Sequence, residues 1–147
     1  MTAEGTPKSP VTFGPPVALP WIRVAAATSG TALAVALVWI FVAPLWGWAG
    51  WPIAVRALIA VVPIGLLGWL LSFPWKPRPI IDWTTAWLVG TVVRLLLTPA
   101  AAAAVYFSAP CEATQLVAAV GGCYFASLLA EVGTVASALR DRDAAPA

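Results

Sequence analysis

The chain has 147 residues, 61% of them apolar and only 10% charged, with a formal net charge of +2. A soluble domain carries about 25% charged residues, so water is excluded as the solvent for most of this chain and lipid takes its place. A nucleic-acid surface is excluded too, because no Lys/Arg patch recurs along the chain, and the absence of His removes His-based acid–base chemistry and His-rich metal sites.

Residues 1–20 are rich in Pro, Gly and Thr and hold Glu4 and Lys8. A secretory signal needs a basic start followed at once by a short apolar core. Here the first apolar run begins only near Trp21 and is long enough to cross a bilayer. It is expected to be a retained first helix behind a flexible cytoplasmic lead. The first span covers 22–44 and ends in PLWGWAGWP, where Trp46, Trp48 and Trp51 suit the headgroup level and Gly47 and Gly50 permit a tight turn.

The second span covers 52–73. Pro52 fits a first helical turn, whereas Pro63 removes the donor for the Ile59 carbonyl and is expected to bend the helix. Gly65 and Gly68 should make this region thin and closely packed. The stretch PWKPRPIID, residues 74–82, then makes a short, stiff, polar loop. The third span, 83–107, contains Gly90, Arg94, Thr98, Pro99 and the alanine run 100–104. The turn SAPCEA carries Pro110 and Glu112. The fourth span covers 113–139 and leaves a polar, frayed tail at 140–147.

The expected fold is therefore all-α: one integral membrane bundle of four transmembrane helices, with both termini cytoplasmic. With the N-terminus inside, Lys8, Arg23, Lys76, Arg78, Arg140 and Arg142 all fall on the inner side, and neither outer turn holds a Lys or Arg. That asymmetry is the positive-inside pattern. A three-span alternative stays open because Arg56 and Glu131 interrupt the second and fourth spans. Lipid supplies no hydrophobic force between helices, so narrow faces are expected to pack. The candidates are Ala26, Gly30, Ala34 and Val38 on the first helix, and Gly121, Gly122, Ala126, Ala130 and Gly133 on the fourth.

Arg94 is the sharpest feature. It lies near the middle of the third span, where an Arg costs about 2.5–3.5 kcal/mol on insertion scales and stays charged. Glu131 is its expected partner, since counting from the inner end at 1.5 Å per residue puts Arg94 about 16 Å deep and Glu131 about 12–14 Å deep. Gly90 and Thr98 share the Arg94 face; Tyr124, Ser127 and Thr134 share that of Glu131. Together they are expected to form a polar seam between antiparallel neighbours. Such a pair fits an internal lock on register, a contact with a partner protein, or a proton or ion pathway. Ionised and paired, the carboxylate would be a poor proton shuttle. At the outer side Arg56 can snorkel to the headgroups, Glu112 can complement the start of the fourth helix, or the two can pair.

Cys111 and Cys123 are too few for a four-ligand metal site. On one helix they would stand about 18 Å apart, beyond disulfide reach, so both read as packing residues. No catalytic triad, phosphate loop or metalloprotease motif occurs, and neither catalysis nor a metal or cofactor is expected.

The stretch GTVVRLLLTPAAAAAVYF, from Gly90 to Phe107, resembles the third span of the bacterial ATP synthase protein I family, and YFASLLAEVGTVASALR, from Tyr124 to Arg140, is similar to its last span. The Trp-rich first turn and the Pro-rich loop have no counterpart in that resemblance. It implies a non-catalytic accessory protein of the cell inner membrane, multi-pass, that assists assembly or stability of the c-subunit ring of a rotary ATP synthase; magnesium handling is also associated with the family. Arg94 and Glu131 would then be the polar contacts, with each other or with a ring helix. Two alternatives remain: an auxiliary subunit of another respiratory or photosynthetic complex, and a small ion or solute transporter acting as an oligomer. The latter has no visible duplicated half to support it.

Overall fold

A computed structural model describes residues 21–73, 75–109 and 111–143. The expected lead at 1–20 and the last four residues of the expected tail lie outside them. Four long helices carry the described chain: α1 (Trp21–Val42), α2 (Trp51–Leu71), α3 (Ile80–Ser108) and α4 (Ala113–Asp143), with one 3-10 turn at Ala43–Trp46. All four are long and apolar enough to cross a membrane, which supports four spans over three. In lipid a helix satisfies its own backbone, so such runs have no competing local structure.

The boundaries have local causes. Pro44 sits in the 3-10 turn, which Gly47 ends at φ 71°. The Gly47 and Trp48 N–H groups donate back to the Pro44 and Ala43 carbonyls, each at 3.0 Å. Gly50 then approaches the end of α1 so closely that a Cβ there would stand 2.7 Å from the Ile40 carbonyl oxygen. The Ala49 N–H donates to Gln115 Oε1 at 2.9 Å, and Gln115 Nε2 donates to Glu112 Oε2 at 2.5 Å. This Trp-rich turn is thereby tied to the first turn of α4. At the other end of α2, Phe73 adopts φ 48° and its N–H reaches back to the Leu70 carbonyl, an αL close of the kind that stops helices. Pro63 and Pro99 both lie inside continuous helices.

The polar segment Arg140–Asp143 continues α4, so the expected frayed tail is helical this far.

α2 is the central helix and packs on all three others; α1 packs most extensively on α4, and α3 touches α4 sparsely. The α1–α4 pair is antiparallel in a clear register. Ser127 Oγ donates to the Thr28 carbonyl at 3.2 Å, and Cys123 Sγ lies 3.7 Å from the Ala32 carbonyl, so one turn up α1 matches one turn down α4. The core is small-residue packing: Ala36, Ala54, Ala57 and Ala60 with Ile53, Leu116, Ala119 and Cys123. Small side chains let backbones approach, which is how helices gain contact in lipid.

Two expected packing faces are corrected. On α1 the buried stripe is Val24, Thr28, Ala32 and Ala36; Ala26, Gly30, Ala34 and Val38 are exposed. The two stripes differ by two residues, about 200° around a helix, and both are small and apolar, so size alone does not choose. On α4 the buried stripe is Leu116, Ala119, Val120, Cys123, Ser127 and Glu131. Gly122 and Gly133 are exposed, and Gly121, Ala126 and Ala130 are half-buried. Glu131 orients this helix, because its carboxylate cannot face lipid.

Candidate functional site: a buried Arg–Glu–Trp cluster

Arg94 lies mid-way along α3 and is 6% exposed; Glu131 on α4 is 0% exposed. The guanidinium and carboxylate face each other as a fork. Arg94 Nη1 donates to Glu131 Oε2, and Arg94 Nη2 donates to Glu131 Oε1 at 2.8 Å. Two parallel charge-assisted bonds fix orientation as well as distance. Trp87 Nε1 donates to Glu131 Oε1 at 2.6 Å, and Arg94 Nε donates to the Gly90 carbonyl at 3.2 Å. The carboxylate thus receives three N–H donors, which meets the requirement that a buried charge be paired and hydrogen-bonded.

Gly68 makes the geometry attainable. A Cβ at that position would lie 2.8 Å from Arg94 Cγ and 3.0 Å from both Cδ and Nε. The Arg94 stem therefore crosses α2 where α2 has no side chain. Gly90 completes the crossing, since its Cβ would stand 3.1 Å from the Gly68 carbonyl oxygen. The chain brings its deepest cation to its only fully buried carboxylate among the described residues through a two-glycine gap. Two residues of this cluster were not singled out from sequence. Trp87 precedes Arg94 by seven residues and so shares its helical face; that spacing was the available signal. Gly68 was read as a thin place, without its role as a bed for Arg94.

The wider polar seam is not one surface. Thr98 is 5% exposed but bonds to nothing among the described residues. Ser127 turns to α1, and Thr134 Oγ1 donates to its own helix at Ala130, 2.7 Å. Tyr124 stacks edge-on with Phe125 at 5.8 Å. The reason is that α3 touches α4 only sparsely, so these side chains find partners on α1 or within their own helix. Trp69 Nε1 is buried without a partner, beside two cavities of about 20 and 10 Å³ that Arg94 also borders. The larger has room for about one water.

At the opposite end, Glu112 is engaged by Gln115, and Arg56 is half-buried in the second turn of α2. Cys111 and Cys123 are both free thiols, Cys111 lying before α4 instead of on it. No group of three His, Cys, Asp or Glu stands together among the described residues.

Four apolar helices around a closed ion pair place the chain in the class of multi-pass helical membrane proteins. Comparison with known proteins finds no family model, no curated protein and no solved structure that matches the chain.

Proposed function

We propose that this chain is a non-catalytic accessory membrane protein that docks against helices of a larger membrane complex, with both ends cytoplasmic in a bacterial inner membrane. The observation that carries the reading is the outward Ala26–Gly30–Ala34 stripe of α1. All three residues are exposed, and a Cβ added at Gly30 would meet nothing within 4 Å. A small-xxx-small stripe gives close backbone approach between helices in lipid, and none of the described helices of this chain occupies it. The Arg94–Glu131 pair supports the reading in a different way: its donors and acceptors are turned on each other, which suits an internal lock more than an ion path.

The resemblance of the third and fourth spans to the ATP synthase protein I family makes the c-subunit ring of a rotary ATP synthase the first partner to test. The orientation rests on Lys76 and Arg78 in one loop and Arg140 at the end of α4, against no Lys or Arg at 43–50 or 109–112.

Extraction in a gentle detergent followed by affinity capture should bring down the ATP synthase membrane ring. Gly30→Leu should abolish the capture while leaving the isolated protein as stable as before, because the added side chain points at open space. Capture of a different respiratory complex would overturn the ATP synthase assignment. A protein that comes down alone and conducts ions in liposomes would overturn the accessory reading itself.

A further inference from the structure

The link between α2 and α3, residues 72–79, carries cations and exposed rings together. Phe73 and Trp75 are 44% and 49% exposed, and Lys76 is exposed beside them. The two rings meet edge to face at 5.6 Å. Lys76 Nζ stands 5.1 Å from the centre of the Phe73 ring, and Arg78 Cζ stands 5.8 Å from that of Trp83. Both distances fall within the roughly 6 Å over which a ring attracts a cation. Pro77 and Pro79 flank Arg78 and stiffen the backbone on either side of it.

A ring holds one side of a cation and leaves the N–H donors of the other side for a different partner. Among the described residues no carboxylate lies within ion-pair distance of Lys76 or Arg78. Asp82, the nearest acid in sequence, sits in the first turn of α3, where its charge favours the start of that helix. Lys76 and Arg78 are two residues apart, so their Cα atoms are separated by at most about 7 Å, close enough for both side chains to reach one anion. The link therefore presents two positive charges that rings hold in place and no acid among the described residues neutralises.

Level and charge select the partner. The 21 residues of α2 extend about 31 Å against a hydrocarbon core of about 30 Å, so the link that follows Leu71 falls among the headgroups. Exposed aromatic rings belong at that level. An acidic soluble protein would meet the cations and leave Phe73 and Trp75 unused. A zwitterionic lipid would cover the rings but brings a cation of its own, which Lys76 and Arg78 repel. An anionic phospholipid answers both features. We propose that the 72–79 link binds one anionic phospholipid, its phosphodiester bridging Lys76 and Arg78 and its glycerol lying against Phe73 and Trp75. Arg23 and Arg140 stand at the same end of the bundle but over no ring among the described residues, so the site is this link and not the whole basic rim. It needs only that the link lie at a membrane edge, on either side, and is independent of the α1 stripe.

The test is titration of phosphatidylglycerol and of phosphatidylcholine into the purified full chain in a neutral detergent, with bound lipids counted by native mass spectrometry. One phosphatidylglycerol should bind ahead of the rest and more tightly than any phosphatidylcholine. Lys76→Gln and Arg78→Gln should each weaken that first step about fivefold, and the double variant about thirtyfold, the factors for one and two cations at an anionic lipid surface. Lys76→Arg, which keeps the charge, should keep the affinity. Arg23→Gln and Arg140→Gln each remove one positive charge as well and should leave the first step unchanged. All of these side chains are exposed or half-buried, and unchanged helicity checks that each variant is folded. Equal first steps for the two lipids overturn the proposal. So do Lys76 and Arg78 variants that bind like the original, or an equal loss in the Arg23 and Arg140 variants, which would spread the effect over the whole rim. Displacement of the lipid by inorganic phosphate at equal concentration would assign the site to a free anion, and cross-linking of a Trp75→Cys variant to another protein in native membranes would assign it to that protein; either overturns the proposal.

Discussion

Removing either half of the buried ion pair should harm the protein more than removing both. Arg94→Met leaves the fully buried Glu131 carboxylate with only the Trp87 N–H; Glu131→Met leaves a guanidinium mid-membrane with only the Gly90 carbonyl. Breaking a buried pair by one partner costs about 3–5 kcal/mol. In the double variant both charges are gone, and the chief residue of damage is the Trp87 N–H, about 1–3 kcal/mol for an unsatisfied donor. The coupling energy should then be about 3 kcal/mol or more, well above the roughly 0.6–2 kcal/mol of a neutral interhelical bond in lipid. Steric trapping or graded denaturant unfolding in bicelles, with helicity as the readout, measures all four corners of the cycle. If the double loss equals the sum of the singles within about 0.5 kcal/mol, the two residues do not act together, and the account of the site is wrong.

Gly68→Ala should destabilise by about 1–3 kcal/mol, the cost of overpacking, because the new methyl stands 2.8 Å from an Arg94 Cγ clamped at both ends; combined with Arg94→Met, it should cost almost nothing further in the same unfolding assay. Gln115→Leu removes the acceptor of the Ala49 N–H and should cost about 1–3 kcal/mol, seen as faster amide exchange at 47–50 while exchange at 90–98 stays unchanged.

Much of the architecture was legible in residue order. Long apolar runs punctuated by PLWGWAGWP, PWKPRPIID and SAPCEA mark four crossings, because hydrocarbon penalises any unsatisfied backbone and leaves the helix as the only solution. An Arg at mid-span demands a carboxylate at matching depth, and Glu131 was the candidate that helical rise placed within reach. These inferences work because they depend on distance along one helix axis, which the count of residues supplies.

Rotation about the axis was not available in that way. Nearly every position of α1 is apolar or small, so lipid and protein are equally acceptable neighbours. Whether Ala32 or Ala34 faces inward is settled by what α4 and α2 present to it, with Ser127 reaching the Thr28 carbonyl and Cys123 lying against Ala32. The same holds for Arg94: its charge and depth follow from the sequence alone, but the path of its side chain over Gly68 and the third donor from Trp87 exist only once α2, α3 and α4 are assembled. Solvent preference acts on one residue at a time and can be read in order along the chain; close packing among helices of like polarity is a property of the whole set, and only the tertiary structure decides it.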